Sequence, residues 1–146
     1  MRLRIGLIAL LAAFLVVISG PSFAATGAAT VKTRHGKLGT YLVDGKGRTL
    51  YLFEKDRTKK STCADACAKA WPPLTTKGRP KAAGAAKSSL LGTSKRADGT
   101  TQVTYKGHPL YFFVQDKKAG DTKGQNVDAF GAEWYVVSPA GKKIEG

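Results

Sequence analysis

Two short runs of the chain are apolar at every position, Leu50-Tyr51-Leu52-Phe53 and Leu110-Tyr111-Phe112-Phe113. Side chains on a strand alternate between its faces, so a run without polar alternation predicts a strand covered on both sides. Each run follows a stretch of β-formers and a glycine turn: 39–44 with Gly45-Lys46-Gly47-Arg48, and 102–105 with Lys106-Gly107-His108. The pattern predicts strand, turn and strand twice over, that is, two β-hairpins. Gly47 and Gly107 are the turn positions where a positive φ is expected. Pro109 lacks an amide donor and should open its strand, 109–114, rather than sit within it. A further turn signal, Ala97-Asp98-Gly99-Thr100, pairs 89–93 with 102–105. In the first half 31–33 should pair likewise, across the weaker turn His35-Gly36-Lys37.

The two halves are copies of one unit. The segment 31–56 overlays 91–116 at an offset of 60 without a gap, and ten of the 26 aligned positions are identical, Tyr51/Tyr111, Phe53/Phe113 and Asp56/Asp116 among them. Such a repeat decides the architecture, and a residue kept in both copies is expected to shape the unit. After each core strand a longer connection, 57–70 or 117–133, leads to a tryptophan. Trp134-Tyr135-Val136-Val137 predicts a strand, whereas the prolines of Trp71-Pro72-Pro73-Leu74 allow an extended edge at best. The alanine-rich 64–70 predicts one short helix, and 75–87, rich in Lys, Gly and Ala, a surface linker. A lone hairpin is marginal in water, so the copies should share a core. The expected fold is mainly β: two hairpin repeats, about 31–74 and 88–138, packed into one antiparallel domain with a short helix near the cysteine pair.

The amino terminus lies outside this pattern. Arg2 and Arg4, the apolar stretch 5–18 and Ser22-Phe23-Ala24 have the layout of a secretory signal peptide, cleaved after Ala24. Its apolar stretch of 14 residues is short for a membrane span. The expectation is one extracytoplasmic domain, 25–146, periplasmic or secreted and soluble, with no transmembrane segment after cleavage. Without Arg2 and Arg4 the chain keeps 22 Lys and Arg against 10 Asp and Glu, a net charge of +12. That charge favours adsorption to anionic surfaces without defining a fold. The cations are scattered, and the densest run, Lys55-Asp56-Arg57-Thr58-Lys59-Lys60, is interrupted by an acid. Anionic envelope polymers or lipid head groups are the expected partners, with no specific nucleic acid; the oligomeric state is left open.

Few residues offer chemistry. Tyr51 with Asp56, and Tyr111 with Asp116, form a repeated motif whose tyrosine suits a core position and whose aspartate suits a chain turn. The sharper alternative has the two acids facing one another around a cation. Cys63 and Cys67 are the only cysteines, and an oxidising compartment makes a disulfide the default reading, with a redox pair or metal ligation as rivals. The spacing is CxxxC, outside the CxxC redox pattern, and covalent haem attachment would need CxxCH. His35 and His108 do not align with each other and read as exposed turn residues. The stretch 124–131 carries oxygen ligands but lacks calcium-loop spacing. No catalytic constellation is present, and no cofactor or metal is expected.

Several motifs carry a resemblance. Leu50-Tyr51-Leu52-Phe53-Glu54-Lys55-Asp56, the Cys63/Cys67 pair, Trp71-Pro72-Pro73-Leu74 and Leu90-Leu91-Gly92-Thr93 are similar to those of bacterial predicted lipoproteins and secreted repeats with a Tyr-x4-Asp motif. So are Arg96-Ala97-Asp98-Gly99, Pro109-Leu110-Tyr111 and Gly131-Ala132-Glu133-Trp134-Tyr135-Val136-Val137. The resemblance runs over nearly the whole chain after the leader. It implies secretion and supplies no activity, and the chain departs from the lipoprotein members in lacking a lipidation cysteine. Tyr51, Asp56, Trp71, Tyr111, Asp116 and Trp134 are thus expected to be structural. The expected function is a non-catalytic, envelope-associated binding module; the alternative is a redox or electron-transfer accessory protein of the envelope.

Overall fold

A strand that is apolar on both faces needs cover on each face and partners along both edges. In the computed structural model, which describes residues 15–17 and 23–146, this demand reorganises the hairpins. The expected leader, 1–24, lies outside those residues except for 15–17, 23 and 24. β1 (Thr30–Gly36) pairs antiparallel with β2 (Gly39–Asp44), from Val31↔Asp44 to Gly36↔Gly39. β2 meets the next segment through Asp44 N–H to Arg48 O at 2.9 Å, the Val43↔Thr49 bridge and Leu50 N–H to Leu42 O at 3.1 Å. The expected hairpin thus forms around 45–47, over 42–44 and 48–50, and β3 (Tyr51–Phe53) leaves it. β3 lies against the last strand of the other copy, as described below.

After β3 the chain makes α1 (Ala66–Ala70), the short helix beside the cysteine pair. The expected surface linker then contributes β4 (Lys81–Ala82), which pairs parallel with β1. In the second copy β5 (Leu91–Lys95) and β6 (Thr101–Tyr105) are antiparallel, and β6 turns into β7 (His108–Pro109). Lys106 at φ 49° and Gly107 at φ 78° both take positive φ at that turn, the requirement of a two-residue type I′ hairpin. The strand expected over 109–114 shrinks to β7 and a bridging Tyr111, because its neighbour is the proline segment. Phe112 N–H donates to Pro72 O at 2.7 Å and Leu74 N–H to Leu110 O at 2.9 Å. Between them the prolines have no hydrogen to give. β8 (Val127–Ala129) and β9 (Ala132–Val136) form the last hairpin.

Among the described residues three small sheets run β2-β1-β4, β3-β9-β8 and β5-β6-β7. Tyr51↔Val136 and Phe53↔Trp134 place β9, from the second copy, on β3 of the first. The Tyr111↔Pro73 bridge places the first copy's Trp71–Leu74 segment on the second copy's core run. Each copy thus lends its tryptophan segment to the other.

The gapless overlay also slips by one residue. Thr33 faces Leu42, whereas Thr93 faces Val103, an offset of 61 across β2 and β6. The first reversal has two residues, Lys37 and Leu38, in one copy and three, 97–99, in the other. The next reversal restores the offset: 45–47, ending in Gly47 at φ 83°, against Lys106-Gly107. A one-residue shift exchanges the faces of a strand. Leu42 and Val103 accordingly share one core, while Val43 lies in another.

Those two cores are divided by the apolar runs themselves. Leu50, Leu52, Leu110 and Phe112 face one core with Val31, Val103 and Val137; Tyr51, Phe53, Tyr111 and Phe113 face the other with both tryptophans and both cysteines. Each large side chain buried this way contributes about 1.5–3 kcal/mol.

Candidate functional site

At the centre, Tyr51 and Tyr111 form an antiparallel bridge: Tyr51 N–H donates to Tyr111 O at 2.8 Å and Tyr111 N–H to Tyr51 O at 3.0 Å. Just beyond each aromatic run the chain turns sharply, closed by Asp56 N–H to Phe53 O and Asp116 N–H to Phe113 O, both 3.0 Å. The turn brings each carboxylate back beside the core. It does not meet its own tyrosine. Tyr111 Oη donates to Asp56 Oδ2 at 2.5 Å, and Tyr51 Oη donates to Asp116 Oδ2 at 2.6 Å, so both motifs are completed across the copies. The remaining oxygen of each carboxylate organises its own copy's connection. Asp56 Oδ1 accepts from Thr62 N–H and Oγ1, both at 2.7 Å, and Asp116 Oδ1 accepts from Lys123 N–H at 2.9 Å.

Burial pushes the Tyr51 hydroxyl well above the usual phenol range, with the Asp116 hydrogen bond and charge adding to it. Tyr111 is pushed up by burial, then by the Asp56 charge and hydrogen bond. Asp116 is also raised by burial, in spite of the Tyr51 and Lys123 donors. Both phenols thus stay protonated as donors at neutral pH.

Beside this clamp four rings stack in the order Phe53, Trp134, Trp71, Phe113, with centroids 4.0, 4.0 and 4.1 Å apart and interplanar angles of 8°, 3° and 18°. They alternate between the copies. Tyr51 meets Trp71 edge-on at 5.4 Å, and Tyr111 meets Trp134 edge-on at 5.1 Å. Gly124 lies against the stack: a Cβ there would come within 2.8 Å of Trp71 and Tyr51 ring atoms. Its N–H donates to Tyr51 Oη at 3.1 Å. Gly124 thus has a packing reason that a search for calcium ligands misses.

Cys63 and Cys67 form a disulfide with Cα atoms 5.2 Å apart, buried against this aromatic core. α1 starts inside the ring it closes, and Trp71 N–H caps the helix on Cys67 O at 2.7 Å. The disulfide turn therefore delivers Trp71 to the stack.

The copies differ around their tyrosines. Beside Tyr111, Ser61 Oγ lies 2.7 Å from the hydroxyl, Arg96 Nη1 donates to Ser61 Oγ at 3.0 Å and Gln102 Oε1 at 2.7 Å, and Arg96 Nη2 donates to Cys63 O at 2.7 Å. At the aligned positions the first copy has Gly36 for Arg96 and Tyr41 for Gln102, the latter by the offset of 61. Nothing in the repeat itself signalled this network. His35 is exposed, on β1 rather than in a turn, with Nδ1 3.2 Å from Thr40 Oγ1. His108 is half-buried on β7, and burial lowers its pKa. Among the described residues no group of three or more His, Cys, Asp or Glu is placed to hold a metal, and no helix is long and apolar enough to cross a membrane.

Neither a curated protein nor a solved structure matches the chain. One family model does, at residues 32–75 and again at 92–138, which are the two units whose tyrosines, aspartates and tryptophans cross over at the centre. By that double match the chain belongs to the family described as a secreted repeat of unknown function.

Proposed function

We propose that the protein is a non-catalytic, extracytoplasmic module whose cationic exterior meets anionic envelope polymers or lipid head groups. The supporting observation is a division of labour. The polar groups of the repeated motif are spent inside the fold: both tyrosine hydroxyls donate to carboxylates, and both carboxylates also cap backbone. On this reading Tyr51, Asp56, Trp71, Tyr111, Asp116 and Trp134 are scaffold.

The cations take the opposite course. Apart from the half-buried Lys32, Arg48 and Arg96, every Lys and Arg from residue 25 onward is exposed. The ion pairs among the described residues involve only Arg48 and Lys143. A net charge of +12 then acts outward, where attraction to a polyanion is screened by salt within about a Debye length. The redox alternative ranks second because Cys63 and Cys67 are only 1% and 7% exposed, with aromatic rings around them. Exchange with a partner thiol requires access to a sulfur.

Sedimentation with purified cell envelopes at low and raised salt tests the proposal. Binding that weakens as salt rises supports it. Binding that is absent, or indifferent to salt, removes it.

A further inference from the structure

β1 and β5 are equivalent strands of the two copies, yet their outer edges are treated differently. The edge of β1 is covered by β4: Lys81 N–H donates to Ala29 O at 2.8 Å and Ala83 N–H to Val31 O at 3.0 Å. Beyond them Ala85 N–H reaches Thr33 Oγ1 at 3.0 Å. β5 is the edge strand of its sheet. The chain that follows the second copy does not return to it, since Val137 bridges Lys143 and Ile144 N–H donates to Val136 O instead.

The phase of the β5–β6 ladder identifies the groups on that edge. Lys106 N–H donates to Leu90 O and Arg96 N–H to Thr100 O. Antiparallel alternation then turns Gly92 and Ser94 inward with Leu90 and Arg96, and turns the main-chain groups of Leu91, Thr93 and Lys95 outward. Leu91 N–H is taken by Ser88 O and Lys95 O by Lys60 Nζ at 3.2 Å. The Thr93 N–H and C=O remain at the middle of the edge. An open cleft of about 690 Å³ lies alongside, lined by Leu91, Gly92 and Thr93 and by Gly78, Arg79 and Pro80 of the linker.

We propose that β5 is a docking edge for an extended acidic peptide segment, which adds as a strand parallel to β5 in the place that β4 takes on β1. Main-chain bonds to Thr93 supply the pairing. Arg79, which lines the cleft, and Lys95 of β5, both exposed, select acidic side chains. A second copy of this chain is the poorer occupant, because it brings the same +12 charge.

The test adds a short peptide of alternating Val and Glu to the full protein and follows amide hydrogen exchange by NMR. The Thr93 amide is expected to slow on saturation while that of Val103, inside the sheet, does not change. Thr93→Pro should weaken binding about tenfold, the weight of one main-chain hydrogen bond, at an unchanged melting temperature. If that variant does not fold, a fully N-methylated form of the peptide should fail to protect Thr93 in the wild type. An unprotected Thr93 amide overturns the proposal. So does equal protection by an alternating Val and Lys peptide. Protection that grows with protein concentration in the absence of peptide would instead assign the edge to a second copy.

Discussion

Removing one phenol at a time tests whether the repeated motif acts across the copies. In Tyr111→Phe the Asp56 carboxylate, only 7% exposed, keeps Thr62 but loses its Oδ2 donor. A hydrogen bond to a charged group contributes about 1.5–3 kcal/mol, and here water has little room to replace it. In Tyr51→Phe the Asp116 carboxylate keeps Lys123 and, being half-buried, can be rehydrated, but the buried Gly124 N–H also loses its acceptor. We expect losses of about 2.5 kcal/mol for each of Tyr111→Phe and Tyr51→Phe by urea unfolding. For a domain of this size this corresponds to a fall in Tm of about 10 °C in either variant. Double-mutant cycles add direction: Tyr111→Phe with Asp56→Asn should show coupling of about 1–2 kcal/mol, and Tyr111→Phe with Asp116→Asn less than about 0.5 kcal/mol. Coupling that is stronger within a copy than between copies would refute the crossed clamp, and so would a loss below about 0.5 kcal/mol in either Tyr→Phe variant.

Three further outcomes follow from the same geometry. Replacing both Cys63 and Cys67 with Ser opens a small ring, and loop entropy sets the loss at about 2 kcal/mol; thiol titration of air-purified wild type should find no free thiol. Gly124→Ala should cost at least about 2 kcal/mol by overpacking rings that cannot shift singly, whereas Gly27→Ala, with nothing within 4 Å, should be near neutral by thermal melting. Asp116 has a folded pKa raised above 3.8 by burial, so the folded state holds its proton longer than the unfolded state does. That contribution is fully present below pH 3.8 and is lost as pH rises through the folded pKa. Relative to Asp116→Asn, the wild type should therefore lose stability across that window in urea titrations.

The sequence was informative where one physical demand dominated. An apolar run must be covered on both faces, and Leu50–Phe53 and Leu110–Phe113 are buried at every position. A glycine turn needs positive φ, and Gly47 and Gly107 have it. What was not legible was partnership. A run such as Tyr51-Leu52-Phe53 states that it needs neighbours but not which ones. The nearest candidate in sequence, β2, lost to β9, whose Trp134 stacks on Phe53. The Tyr–Asp spacing is a pattern along one copy, because sequence is one-dimensional; between two related copies the same pattern is satisfied equally well by exchange. The clue available was that each copy carries one member of every crossed pair, Tyr51/Tyr111, Phe53/Phe113, Asp56/Asp116 and Trp71/Trp134. The identity of Val43 with Val103 misled, since compensating turn lengths place Leu42, not Val43, opposite the shared Thr33/Thr93 position.

Exchange has a consequence for how the fold can come apart. The first half lacks a tryptophan strand for β3, because its own Trp71–Leu74 segment lies on Tyr111–Phe113. The second half lacks a carboxylate for Tyr111, because Asp56 is supplied by the first. Neither half can therefore close the aromatic stack, and a hairpin without a covered face is marginal in water. A protease site inserted between Gly84 and Ala85, both exposed in the connection, should be cut without dissociation, since exposed loops tolerate insertion and nicking. The two fragments should co-elute in native size exclusion, separate in denaturant and recover the native spectrum only when mixed. Either fragment alone should give collapsed amide dispersion. A cooperative melt from one isolated half would mean that a copy can fold on its own, and the interlocked reading would be wrong.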